Sequence, residues 1–293
     1  MRLRADRPRG RSFCSLNPIA TPLGRRVPSR KRLPALDRSK EKKSVMEKPT
    51  PADPINSMGS RSWLPPGPLP SADRIVRLLW GISLLGGALY LVLPSTIEGP
   101  ARVVIKGLGV GLLAALAFRV IRRLSRPTDG WILAVALSFS CLGDLFLAMR
   151  GTFLLGLSSF LITHLLYLTL FVRNWRRPLR PSRTRLAISI LVLLFSLSYS
   201  QWLAPTLGSL ALPVALYVCA ITLMVVAGLW SSFSPSWVWV GAILFLVSDA
   251  ILAADRFHGQ VPFAGFLIWA TYYLGQYGIA LGVLHARWEK EIA

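Results

Sequence analysis

From residue 75 onward the chain alternates apolar runs of about 20 residues with short polar breaks, and at 1.5 Å per residue such a run crosses a hydrocarbon core of roughly 30 Å. Eight runs stand out, at 75–93, 101–121, 131–149, 153–172, 186–203, 210–230, 237–253 and 262–285. Lipid offers no partner for an open backbone N–H or C=O, so runs of this length are predicted to be helices. The predicted fold class is an all-α polytopic membrane protein with about eight transmembrane helices.

The breaks between runs are unequal. Arg119, Arg122, Arg123 and Arg126 crowd the break after the second run, and six arginines lie between Arg173 and Arg185 after the fourth. The alternate breaks at 94–99, 150–152, 201–209 and 254–261 hold at most one basic residue each. Basic loops stay in the cytoplasm, which predicts cytoplasmic termini at both ends, in a bacterial plasma membrane or a eukaryotic endomembrane. Trp131, Trp175, Trp230, Trp237 and Trp288 then fall at the inner boundary and Trp202 at the outer one, where indole rings anchor.

The pattern also repeats. The string from Gly143 to Ala148, GDLFLA, recurs from Ser248 to Ala253 as SDAILA, each time before a short loop and another run. With four extra residues in the second loop, Gly156 aligns with Gly265, His164 with Tyr273 and Tyr167 with Gln276. This reads as two four-helix halves. An even number of spans per half gives them the same orientation, a parallel repeat.

Composition sharpens the class. Hydrophobic residues make up 53% of the 293 positions and charged residues 16%, with mean hydropathy +0.50, too apolar to solvate a globular surface. The basic excess of 34 Lys and Arg over 13 Asp and Glu is concentrated in residues 1–74, which carry half of those basic residues. Rich in Arg, Pro and Ser and without an apolar run, residues 1–74 are expected to be a disordered basic tail, followed by a transmembrane domain at 75–286 and a short cytoplasmic tail at 287–293. The tail has almost no aromatic residues for base stacking, so no nucleic-acid partner is expected. Cys14, Cys141 and Cys219 have neither disulfide nor metal spacing, and no metal or other cofactor is expected.

Ionisable groups inside spans are costly and are functional candidates. Here they are Lys106, Asp144, His164 and Asp249. Counted from the outer ends of their runs, Lys106, Asp144 and Asp249 lie roughly 8 Å deep, with His164 and Tyr273 at roughly 16 Å, so that they can share one pocket. His164 and Tyr167 are three residues apart and Tyr272 and Gln276 four, which puts each pair on one side of its helix. The same residue types also serve as helix glue, and Lys106 is shallow enough to extend its ammonium to the interface.

Several motifs carry a resemblance. GDLFLA, the G-x-x-x-F-x-x-x-H-x-x-Y of Gly156 to Tyr167, the P-V-A-x-Y of Pro213 to Tyr217, the G-A-x-x-F-x-x-S-D of Gly241 to Asp249 and the T-Y-Y-x-x-Q of Thr271 to Gln276 resemble the YhhN-like membrane proteins. Animal members of that family are lysoplasmalogenases. The resemblance spans roughly 75–285 and implies polar-site roles for Lys106, Asp144, His164, Tyr167, Asp249, Tyr273 and Gln276. Gly107 departs from the family, where Pro often follows the Lys.

The implied reaction is hydrolysis of the vinyl-ether bond of a lysoplasmalogen-type membrane lipid to a fatty aldehyde and a glycerophospho-alcohol. That bond needs acid before water, hence a proton donor and an anion that stabilises positive charge. Asp144 and Asp249 are the candidate pair. His164 joins them in the catalytic set, and Lys106, Tyr167, Tyr273 and Gln276 are assigned to substrate binding. The competing class is a transporter or a lipid-binding protein without turnover.

The topology is open to a direct check. Arg123→Cys and Arg180→Cys should be shielded from an impermeant thiol reagent in intact cells, and Ser95→Cys and Gly259→Cys should be labelled. The opposite pattern reverses the orientation.

Overall fold

The computed structural model describes residues 74–92, 100–125, 127–176, 182–233 and 236–292. The expected basic tail, but for Arg74, lies outside the described residues. The described residues form eight helices: α1 Arg74–Val92, α2 Pro100–Ile121, α3 Thr128–Ala148, α4 Phe153–Arg173, α5 Arg183–Leu207, α6 Ala211–Trp230, α7 Trp237–Phe257 and α8 Ala264–Ile292.

Seven segments are long and apolar enough to cross a membrane when Arg183–Trp230 is taken as one stretch of 48 residues. A straight helix of that length would run about 72 Å, more than twice the hydrocarbon core. The chain instead breaks at a 3₁₀ turn, Gly208–Leu210. Pro205 removes a backbone donor in the last turn of α5, and Gly208 takes φ 52° and ψ −124°, a conformation open to glycine because it has no Cβ. α6 then folds back against α5.

Helix packing repeats the sequence repeat. Within each half the successive helices pack together, α1–α2–α3–α4 and α5–α6–α7–α8. Between halves, α4 packs on α6 and α8 packs on α2. If α1 to α4 correspond to α5 to α8, these two contacts are the same contact seen from opposite sides. The first helix of each half is peripheral: α1 buries only Val76, Ser83 and Gly87, and α5 only Ser189, Val192, Ser196, Leu203 and Leu207.

The tightest seam joins α7 to α8, where three glycines bring backbones into contact, as small residues do in membrane bundles. A Cβ on Gly241 would lie 2.6 Å from the Gly275 carbonyl oxygen, and one on Gly275 2.8 Å from that of Gly241. On Gly278 it would lie 2.8 Å from the Trp237 carbonyl oxygen.

At the end of the bundle formed by the start of α3 and the ends of α4 and α8, a polar latch accounts for a difference from the sequence reading. The apolar pattern ends the last run at 285, but α8 continues to Ile292. The continuation brings the Arg287 guanidinium to the Asp129 carboxylate of α3 and the Asn174 side-chain oxygen after α4. Asn174 also donates to Asp129 at 3.0 Å, and Arg173 donates to it at 3.4 Å. Beside the latch, Arg176 N–H donates to the Trp230 carbonyl and Ser232 N–H to the Asn174 carbonyl, and the Trp175 and Trp230 rings stack at 6.1 Å.

The seam yields a stability prediction. Gly275→Ala puts a methyl against backbone atoms of α7 that cannot rotate away, and should cost about 1–3 kcal/mol of stability. Gly81→Ala, whose added Cβ meets nothing within 4 Å, should cost nothing. Thermal unfolding of the two variants in detergent checks the contrast.

Candidate active site

Asp144 is buried in the last turn of α3, where the helix end presents partial negative charge and a carboxylate needs a counter-charge. Lys106 of α2 provides it, with Nζ 3.3 Å from Oδ1. Tyr272 of α8 donates its hydroxyl to Oδ2 at 2.7 Å. Lys106 is 17% exposed and Asp144 2%. The ammonium also lies 5.8 Å from the centroid of the Trp269 ring, so an aromatic face covers the cation.

Asp249 of α7 is held in a matching way. Tyr217 of α6 donates to its Oδ2 at 2.5 Å, and Nε2 of His164, from α4, lies 3.2 Å from the same oxygen and 2.9 Å from the Tyr217 hydroxyl. His164 is fully buried, and its Nδ1 has no hydrogen-bond partner. Nε2 is thus the ring nitrogen through which His164 meets the acid.

The two arrangements share one design. Lys106 and Tyr217 are each the seventh residue of their helices, α2 and α6, and each serves the acid of its own half. Tyr272 and His164, on α8 and α4, each reach across to the acid of the other half. Both acids line one cavity of about 160 Å³, together with Lys106, Tyr272, Tyr90, Ser248 and Trp269.

The other sequence candidates lie elsewhere. Tyr167 and Gln276 are fully buried and do not line the cavity. They meet each other, Tyr167 donating to Oε1 at 2.6 Å, while Gln276 Nε2 donates to the Ser140 hydroxyl at 2.8 Å and Ser140 to Thr163 at 3.2 Å. This polar layer supports Tyr272, whose hydroxyl also lies 3.4 Å from the Ser140 carbonyl oxygen.

Tyr273 is one residue, about 100° of helix rotation, away from Tyr272. It turns toward α1 and α2, where its hydroxyl shares a 2.9 Å hydrogen bond with Ser83, which donates to the Gly109 carbonyl at 2.7 Å. Sequence reasoning gave Tyr217 no role although it ends the P-V-A-x-Y motif, and it noted Tyr272 only for its spacing from Gln276. Among the described residues no group of three or more His, Cys, Asp or Glu side chains is placed to hold a metal ion.

Comparison with known proteins follows the same stretch of chain. The profile of the YhhN family matches residues 101–283, which contain every candidate residue above. The chain belongs to the YhhN family. Similar to this YhhN protein are lysoplasmalogenase TMEM86B of Rattus norvegicus, 35% identical over 53% of this chain and 63% of the rat protein, and lysoplasmalogenase TMEM86A of Bos taurus, 36% identical over 52% of this chain and 65% of the bovine one. A lysoplasmalogenase of Mycobacterium tuberculosis is 30% identical over 75% of this chain and 89% of its own length. The chain thus matches somewhat less than two thirds of the two mammalian relatives. No solved structure matches it.

The placement of Tyr273 can be tested by stability alone. Tyr273→Phe should cost about 1 kcal/mol, the worth of one buried hydrogen bond, and Ser83→Ala, which also loses the bond to the Gly109 carbonyl, about twice that. Because they remove the same bond, the double variant should lose less than the sum in detergent unfolding, and full additivity would place Tyr273 elsewhere.

Proposed function

We propose that this YhhN protein is a membrane hydrolase that cleaves the vinyl-ether bond of lysoplasmalogen-type lysolipids, releasing a fatty aldehyde and a glycerophospho-alcohol. The observation that carries the reading is the pair of carboxyls, Asp144 and Asp249, on one cavity inside the helical bundle. Relatives named lysoplasmalogenase support it.

Charge arithmetic divides the roles. Two carboxyls share the cavity with one formal cation, Lys106, and a low-dielectric site favours balanced charge, which leaves one carboxyl for the donor role. The ammonium lies 3.3 Å from Asp144, which suits that acid to the anionic role. Asp249, whose neighbours are Tyr217 and His164, takes the donor role.

In the proposed cycle Asp249 protonates the vinyl carbon that is not bonded to oxygen, and the double bond's electron pair forms the new C–H bond. Positive charge appears as an oxocarbenium ion, stabilised by the Asp144 carboxylate. Water adds to the oxocarbenium carbon and gives up a proton to the Asp249 carboxylate. The resulting hemiacetal loses its hydroxyl proton, its C–O bond to glycerol breaks, and the departing oxygen is reprotonated. One water is consumed and both acids return to their starting states. Lys106 has N–H donors beyond the one aimed at Asp144, which suit the phosphate of the head group. Tyr272 and Tyr217 hold the acids in position, and Tyr167 and Gln276 brace Tyr272 from below.

The arginine-rich breaks after α2 and α4 support cytoplasmic termini at both ends. The cavity then lies toward the outer side of the membrane, opposite the Asp129–Arg287 latch. Residues 1–74 form a separate basic tail in this reading, and the substrate comes from the surrounding phospholipid bilayer.

Purified protein incubated with a lysoplasmalogen tests the reading. Aldehyde release supports hydrolysis, whereas bound but intact lipid supports a binding or transport protein. Asp144→Asn and Asp249→Asn preserve size and hydrogen bonding and should each lower turnover by at least roughly 10²-fold in folded protein. Near-full activity in both variants would overturn the paired-carboxyl mechanism.

A further inference from the structure

Asp249 lines a second space besides the acid cavity. A cleft bounded by α4, α5, α6 and α7 runs from the outer end of the bundle, at Phe153 and Phe257, to the mid-bundle level of Phe195, Ile221 and Leu246. Along α7 the stretch from Phe257 to Leu246 rises about 16 Å. The walls are almost entirely hydrocarbon and aromatic, and polar groups enter mainly at Asp249 with Tyr217, at Arg256 on the outer end and at Ser196 and Tyr199 of α5. Leu147, Phe160 and Leu252 belong to both spaces, so the cleft and the acid cavity meet at Asp249.

The side of this cleft between α4 and α5 faces the bilayer. Those two helices do not pack against each other, and Phe195 on the wall is 45% exposed. α5 is fastened to its neighbours by spaced polar contacts: Trp230 donates to Ser189 at 3.1 Å, Thr222 to Ser196 at 2.8 Å and Tyr199 to the Ala250 carbonyl at 2.5 Å. An apolar slot that is open to lipid on one side and ends on a reacting carboxyl suits one kind of occupant.

We propose that the α4–α7 cleft is the binding site for the single hydrocarbon chain of the lysolipid, which enters from the bilayer between α4 and α5. This assignment rests on the hydrolase reading for the reason the chain must end at Asp249. With the chain in the cleft, its first carbons, the vinyl-ether pair, lie beside Asp249, and the glycerol and phosphate occupy the polar cavity beside Lys106. Leu246 is three residues from Asp249 on α7, about 5 Å, and Ile221 lies one turn beyond Tyr217 on α6, so these two side chains wall the first carbons of the chain, and the rest of it leaves beside Phe195 into the bilayer.

The test uses a lysophospholipid whose chain is joined by a saturated ether, which has no vinyl bond to cleave, and carries a photoreactive diazirine within its first few carbons. Irradiation with the full-length protein in nanodiscs, followed by peptide mapping, should place the label on the deep end of the cleft, around Phe195, Ile221 and Leu246. Label confined to α1, α2 or the outer loops overturns the proposal. In parallel, Ile221→Trp should lower kcat/KM for a vinyl-ether lysolipid methyl-branched next to the vinyl bond, relative to an unbranched one, by about tenfold, as when roughly two methylenes lose their apolar wall. Ile221→Ala should shift the ratio the other way, and an unchanged ratio in both folded variants counts against the site. Labelling does not require turnover, which separates the two readings. A labelled cleft with no aldehyde release removes the hydrolase and keeps the chain site. Aldehyde release without cleft labelling removes the chain site and keeps the hydrolase.

Discussion

A carboxylate left bare among hydrocarbon side chains costs several kcal/mol, and this protein puts two into a helical bundle. Much of the local architecture answers that constraint. Asp144 needs a cation and a hydroxyl, which come from α2 and α8, and Asp249 takes a hydroxyl from α6 and an imidazole from α4. Removing one partner would leave its acid short of hydrogen bonds in a medium with no water to replace it. Lys106, Tyr272, Tyr217 and His164 therefore tie six helices to two oxygen-bearing groups.

The internal repeat makes this economical. A bundle made of two like halves offers each half's acid one partner from its own side and one from across the seam. The aromatic set of Phe160, Phe245 and Tyr272 packs edge to face between the two arrangements, with centroids 5.3–6.0 Å apart. Phe160 also lines the cavity that the two acids share. The halves have nonetheless diverged where charge matters: position seven of α2 is Lys106 and position seven of α6 is Tyr217. One acid site is formally neutralised and its counterpart is only hydrogen-bonded.

What could be read from sequence followed what membrane physics imposes. Helix existence was legible because a run of apolar residues inside lipid has few alternatives, and the acids stood out because charge is rare there. Helix rotation was harder to read. Tyr272 and Tyr273 are adjacent and chemically alike, and only the packing of α8 against α1, α2 and α3 decides that the first faces Asp144 and the second Ser83. Tyr217 carries no charge and so raised no alarm in an otherwise aliphatic stretch of α6. The Asp129–Arg287 pair joins residues 158 positions apart, and nothing local announces it.

That latch has a mechanical corollary. It fastens the start of α3 to the ends of α4 and α8, at the end of the bundle opposite Asp144. The turn around Gly151 and the loop from Gly259 to Phe263 join the helices at the other end, and three of their residues, Gly151, Gly259 and Phe263, hold positive φ. The latch and the turn around Gly151 therefore hold α3 and α4 together at both ends. Tilting α3, the helix that carries Asp144, away from α4 would have to break one of the two.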